Sequence, residues 1–269
     1  MGWKIVAAVV ALALMTGTAR AADAPKDAAG ARWRPPVNAA WDYRLIEPPT
    51  SVPAGVKVMV SDLFDTPAAR VRAFATKGVH SVCYLNAGAW EDWRPDARAY
   101  PAAVKGKAYQ GWPGEHWLDI RRLDVLGPIL RKRLDLCKAK GFVAVDPDNI
   151  DGWQNDTGFP LTRADQIAFN TWLAREAHKR GLSIGLKNAP ELAPKLISLF
   201  DFTIVESCVA QQWCHLTQPF RAAGKAVLAV EYTDQSMTPQ KVCPLAARRS
   251  MAAIIKRRSL DGWRRACPT

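Results

Sequence analysis

The 269-residue chain is predicted to fold as an α/β protein, a single (β/α)8 TIM-type barrel. Three observations predict it. Short apolar runs alternate with helical patterns along nearly the whole chain, which implies a parallel sheet. The alternation continues for about eight strands, the number that closes a barrel. Polar residues recur directly after those strands, at the end where such a barrel gathers its active site. Neither G-x-G-x-x-G nor a P-loop occurs, so an open nucleotide-binding sheet lacks its signature. No internal repeat and no second domain is evident.

Residues 1–21 have the layout of a secretory signal peptide: Lys4, an apolar run over 5–15, then Ala19-Arg20-Ala21. The apolar run is too short to span a bilayer. Cleavage after Ala21 and export to the periplasm or the exterior are therefore expected. Residues 22–40, rich in Ala, Pro and basic side chains, read as a tether, and 41–269 as the barrel. Within it, 41–46 reads as a short strand closing the barrel floor. Residues 57–61 form the first core strand, followed by Asp62-Leu-Phe-Asp65 and a helix begun by Thr66-Pro67. The second strand, 80–85, leads into a long loop over 89–116 that carries Trp90, Trp93, Tyr109 and Trp112; loops of that length are usually functional. Residues 117–120 read as the third strand. Leu126, Leu130, Leu134 and Cys137 then recur at helical spacing until Gly141 stops the helix. The fourth strand, 142–145, ends in Asp146-Pro-Asp148-Asn-Ile-Asp151. A helix follows with Thr162 and Asp165 placed as a capping box. Strands over 182–186, 202–205, 226–230 and 251–255 alternate with helices to complete the count.

The formal charge is +12, with basic residues concentrated in the tail. An exported chain without a nucleic-acid motif argues against nucleic acid as partner. A solvated basic face accounts for the balance, and a peripheral contact with an anionic envelope surface is compatible with it. Six cysteines in an exported chain point to disulfides. Cys208 with Cys214 and Cys243 with Cys267 are the expected pairs; Cys83 and Cys137 are a third pair or two buried thiols. The four histidines lack zinc spacing, and the acids around Asp146 do not continue at calcium-loop spacing, so no metal and no cofactor is expected.

Strand ends supply Asp62, Asn86, Asp146, Asp148, Lys187, Asn188, Glu206 and Glu231. Facing carboxylates across a cleft suit glycoside hydrolysis, and tryptophan-rich loops (Trp90, Trp93, Trp112, Trp153, Trp213) suit sugar rings.

The chain resembles glycoside hydrolase family 114, the endo-α-1,4-polygalactosaminidases and their relatives. The resemblance rests on Asp62-Leu-Phe-Asp65, Cys83-Tyr-Leu-Asn-Ala-Gly88, Glu91-Asp-Trp-Arg-Pro-Asp96, Gly111-Trp-Pro-Gly-Glu115, Trp117-Leu-Asp119, Val145-Asp-Pro-Asp-Asn149, Gly185-Leu-Lys-Asn188, Glu206-Ser-Cys208 and Val230-Glu-Tyr232, in order along nearly all of the mature chain. Asn86 and Ser207 depart from the Ser and Gln expected there. The resemblance implies a barrel that cuts α-1,4-linked galactosamine polymers internally, with Asp148 and Glu206 as the catalytic carboxylates. Asp62, Tyr84, Trp90, Asp146, Lys187, Asn188, Glu231 and Tyr232 are expected to bind substrate around them. Asp148 is assigned to the anomeric carbon; retention of configuration is the expectation, and the sequence is also compatible with inversion, which the separation of the two carboxyls would distinguish. Phe202 and Ile204 share the parity of Glu206, so an apolar setting is expected to raise its pKa and suit it to general acid work; the sequence is compatible with the reverse roles. The partner is then an amino-sugar polysaccharide and the protein a monomer. The alternative from another class is a non-catalytic carbohydrate-binding or envelope protein on the same barrel.

Overall fold

A computed structural model describes Met1, Gly2 and residues 32–268. The expected signal peptide and residues 22–31 of the expected tether thus lie outside the described residues, apart from Met1 and Gly2. Residues 32–40 lie against the barrel: Trp33 stacks on His80 with centroids 4.5 Å apart, and Arg34 Nε donates to Asp201 Oδ1 at 2.9 Å.

Eight parallel strands curl into the barrel: β1 (Trp41–Arg44), β2 (Val58–Asp62), β3 (His80–Asn86), β7 (Ala144–Asp148), β8 (Ser183–Lys187), β9 (Phe202–Glu206), β10 (Val227–Tyr232) and β11 (Ala252–Lys256). A short ninth strand, β12 (Arg265–Ala266), pairs antiparallel with β11. The expected third strand is the one correction to the barrel. Residues 115–118 do form a strand, β6 (Glu115–Leu118), but it pairs antiparallel with β4 (Ala89–Glu91) and β5 (Lys105–Ala108) in a separate sheet built by the long loop. Its place in the barrel is taken by β1, read from sequence as floor, which runs parallel to β2.

β1 and β11 share no hydrogen-bonded ladder among the described residues. Side chains close this seam instead. Trp41 Nε1 donates to the Ala252 carbonyl at 2.9 Å, the fully buried Lys256 ammonium meets Asp42 at 2.9 Å, and Arg264 Nε donates to the Trp41 carbonyl at 2.9 Å.

Each wall strand is covered on both faces, which is why these runs are apolar rather than alternating. Val58, Val60, Val82, Ala144, Phe202, Ile204, Leu228 and Ile254 fill the barrel lumen. Cys83, Leu85, Val145, Ile184, Leu186 and Val205 point outward into the layer under the helices. Gly185 makes room for the lumen packing: a Cβ there would stand 2.6 Å from the Phe202 ring.

The covering helices are α1 (Ala68–Ala75), α2 (Leu123–Lys140), α3 (Arg163–Lys179), α4 (Ala193–Leu196), α5 (Gln218–Ala222) and α6 (Pro239–Arg248). The capping box of α3 is present, Thr162 and Asp165 exchanging backbone and side-chain bonds. Gly141 ends α2 at φ 98°, a conformation that favours glycine. All six cysteines are paired, Cys83–Cys137, Cys208–Cys214 and Cys243–Cys267, with Cα separations of 6.0, 4.8 and 5.2 Å.

Candidate active site

Parallel register sets the height of the site. Asp62 lies opposite Tyr84, Tyr84 opposite Asp146, Asn86 opposite Asp148, and Val230 opposite Glu206. Adjacent strands therefore deliver their last polar side chains to one rim, over a cavity of about 810 Å³.

Lys187 is the hub. It is 1% exposed, and its ammonium stands 3.0 Å from Asp148 Oδ1, 3.2 Å from Glu206 Oε2 and 3.9 Å from Asp146 Oδ2. It also donates to the Tyr43 hydroxyl at 3.0 Å, which in turn donates to Asp146 at 2.8 Å. Burial opposes a charge on Lys187, but Asp146, Asp148 and Glu206 together hold its proton firmly. Asp148 accepts from Tyr84 Oη at 2.8 Å on its other oxygen. Glu206 accepts from Asn188 Nδ2 at 2.8 Å and from the Tyr232 hydroxyl.

These donors reverse one expectation. Burial does act to raise the Glu206 pKa, but the Lys187 charge and the hydrogen bonds from Tyr232 and Asn188 outweigh it and hold the carboxyl below its ordinary value. Phe202 and Ile204 share its strand parity, but the atoms that touch its carboxylate are polar. The carboxyls pushed upward lie elsewhere in or under the cavity. Burial, then the Glu91 and Asp148 charges, bring Glu115 to about 8. Burial and Asp148 bring Asp151 to about 7. Burial brings Asp146 to about 6 against the pull of Lys187.

Of the residues expected to bind substrate, Asp62, Tyr84, Lys187, Asn188 and Tyr232 line the cavity with Asp148 and Glu206. Three do not. Asp146 is fully buried beneath the rim, tied to Tyr43. Glu231 is fully buried and accepts from the Val209 and Ala210 amides at 2.7 and 3.2 Å, so it braces the loop after β9. Trp90 turns its Nε1 to the Ala97 carbonyl and its ring to Lys105. Trp93, Trp112 and Trp213 do line the cavity, and the first two are about half exposed.

The sequence reading missed Tyr43, Arg94, Glu115 and Arg258 in the lining. Tyr43 was hidden by reading β1 as floor. Arg94 holds Glu91 through two bonds of 2.8 and 2.7 Å and reaches Asp62 at 2.8 Å. Arg258 pairs with Asp234 and lies 3.7 Å over the Tyr232 ring. The available signal for Arg94 and Glu115 was their place among tryptophans in an unusually long loop.

With that geometry established, comparison with known proteins is specific. The model of glycoside-hydrolase family GH114 matches residues 22–269. The crystal structure of Aspergillus fumigatus Ega3 in complex with galactosamine superposes with a TM-score of 0.84 at 32% identity, covering 88% of this chain and 98% of that one. The glycoside hydrolase domain of PelA from Pseudomonas aeruginosa superposes with a TM-score of 0.68 at 18% identity, covering 86% and 99%, a likeness of fold alone. An uncharacterized protein of Deinococcus radiodurans is 27% identical over 233 residues, covering 76% of this chain and 74% of that one. A match over 22–269, together with the Ega3 likeness in sequence and fold, shows that the chain belongs to glycoside-hydrolase family GH114.

Proposed function

We propose that the protein is an exported hydrolase that cleaves internal α-1,4 bonds of a galactosamine-containing polysaccharide, with Asp148 as nucleophile and Glu206 as acid and base. The observation that carries the reading is the single ammonium bridging both carboxylates. Lys187 is 3.0 Å from one and 3.2 Å from the other, so those two oxygens lie roughly 6 Å apart or less. Retaining glycosidases place the pair about 5–5.5 Å apart, whereas inverting ones need about 6.5–9.5 Å to admit a water. The spacing supports retention.

In the first step an Asp148 oxygen attacks the anomeric carbon as the glycosidic bond breaks, and Glu206 gives its proton to the leaving oxygen. In the second, Glu206 takes a proton from water, which attacks the glycosyl ester and releases Asp148. Tyr84 and Lys187 each hold one Asp148 oxygen and orient the carboxylate for attack. The donors around Glu206 favour its ionised form, so its protonated fraction shrinks as pH rises and the rate falls on the alkaline side. Leaving aside Glu115 and Asp151, raised to about 8 and about 7, the lining carries Asp62, Asp65, Glu91, Asp148, Glu191 and Glu206 against Arg94, Lys187 and Arg258, and all three cations are already paired with acids. Such a cleft favours amine-bearing sugars. The bound galactosamine of Ega3 supports the same class.

The test is reducing-end release from partly deacetylated galactosaminogalactan. Asp148→Asn and Glu206→Gln should each lower turnover by orders of magnitude on the order of 10³ or more, with fold and polymer binding retained. Near-parental turnover in either variant would remove that residue from the pair. A parent protein that binds the polymer without releasing reducing ends would favour the non-catalytic alternative.

A further inference from the structure

The barrel is electrically polarised along its axis. Acids collect at the catalytic rim. The opposite end is made by the turns that lead from each helix into the next strand. In the turns 76–79, 138–143, 178–182, 197–201, 222–226 and 248–251 the sole acid is Asp201. That residue is 3% exposed and already held by Arg34 and His178. Cations at the same end are abundant and free. Lys57, Lys77, Lys138, Arg221, Arg248 and Arg249 form no ion pair and no side-chain hydrogen bond among the described residues.

Helix dipoles account for a cation at a helix C-terminus. They do not account for the rest. Lys57 and Lys77 lie outside any helix. Arg221 and Arg249 face one another closely enough that burial and the Arg249 charge both weaken proton binding at Arg221. Among the described residues, the arginines whose buried Nε lacks any hydrogen-bond partner are Arg32, Arg221 and Arg249, and all three are at this end. Uncompensated, mutually repelling cations destabilise the free protein and are relieved by an anionic partner.

The form of the face selects the partner. The cations are spread around the ring of turns rather than along a groove. The hollow at this end, about 220 Å³, is lined mostly by small residues such as Ala39, Ala54 and Ala252, with Trp41, Ile254 and Arg264, whose Nε is bonded to the Trp41 carbonyl, and by none of those six cations. A linear polyanion needs a basic groove; a ring of dispersed charge matches a flat anionic sheet. Within residues 32–268 the exposed large apolar side chains, Ile46, Trp93 and Trp112, line the catalytic cavity, so nothing at this end is suited to insertion. We propose that the end of the barrel opposite the catalytic rim docks electrostatically on an anionic phospholipid bilayer, holding the mouth of the cleft away from the membrane.

The experiment is vesicle co-sedimentation of residues 22–269. One set of vesicles is pure phosphatidylcholine, the other equal parts phosphatidylcholine and phosphatidylglycerol. Binding is expected on the second alone and should fall as salt rises. Each basic residue near an anionic surface is worth roughly a fivefold change in partitioning. The triple variant Arg221→Gln, Arg248→Gln, Arg249→Gln should therefore bind about a hundredfold more weakly. A control triple on the barrel wall and rim, Arg98→Gln, Lys132→Gln, Arg175→Gln, should bind like the parent. The first triple should melt no lower than the parent, because it removes repulsion and no bond. Absence of binding to anionic vesicles, or equal loss in both triples, overturns the proposal. So does binding to a soluble anionic polysaccharide that vesicles fail to displace.

Discussion

Gly88→Ala should damage catalysis without touching a catalytic side chain. Gly88 follows β3, and a Cβ built on it would stand 1.7 Å from the Asn149 carbonyl oxygen and 2.7 Å from its carbon. Ordinary contact begins near 3.4 Å, so the two backbones must separate by about 2 Å. Gly88 cannot yield freely. Its amide donates to the Asp148 carbonyl at 3.1 Å, beside that of Ala87 at 3.0 Å, and its own carbonyl accepts from Leu118 at 2.9 Å. The easier movement is in the peptide that follows Asp148, where Asn149 already sits at φ 58°. Displacing this peptide carries the Asp148 carboxylate away from Tyr84 and Lys187. A misplacement of about 1 Å costs on the order of 100-fold in rate, and overpacking costs about 1–3 kcal/mol in stability. Steady-state kinetics on the amino-sugar polymer and urea denaturation would measure both. A variant with parental kcat would refute the claim that this contact positions the nucleophile.

Three further outcomes are expected. Tyr232→Phe removes a donor that favours ionised Glu206, so the carboxyl titrates at higher pH and the alkaline limb of kcat/KM moves up; movement of the acid limb instead would make Glu206 the nucleophile. Glu115 rises from its ordinary 4.5 to about 8 on folding, so its contribution to stability is full below about 4.5 and is lost as pH climbs through 8. Glu115→Gln should flatten the fall in unfolding free energy across that window, and parallel curves for variant and parent would count against the reading. Cys83–Cys137 closes a separation of 54 residues, so Cys83→Ala with Cys137→Ala should lower stability by about 4 kcal/mol in denaturant titration; a loss below about 1 kcal/mol would show that the unfolded chain is not what the bond restrains.

Strand-end chemistry was legible because its cause is local. A valine-rich run followed by Asp-Pro-Asp declares both a buried strand and the polar cluster leaving it. The same reasoning found Asp148, Lys187, Asn188 and Glu206. It failed where neighbours in space decide. A strand does lie at 115–118, overlapping the expected 117–120 by two residues, but nothing in a run of four residues says whether its partner is a barrel strand or the loop's own sheet. Asp146 and Glu231 lie at strand ends like Asp148 and Glu206, yet one faces Tyr43 beneath the rim and the other the amides of a bracing loop. The Glu206 expectation failed for the same reason: parity gives the face of a strand, not the donors waiting there.

The side-chain seam between β1 and β11 also sets an order of events during synthesis. Its contacts join residues 211, 214 and 223 positions apart. At roughly 5–20 residues per second the ribosome delivers the second partner on the order of tens of seconds after the first. Through that interval β1 is an unguarded sheet edge, the kind of surface on which chains aggregate. Ring closure is therefore the last step available to the nascent barrel, and the Cys243–Cys267 bond, which ties the tail beside Ala253, latches it afterwards.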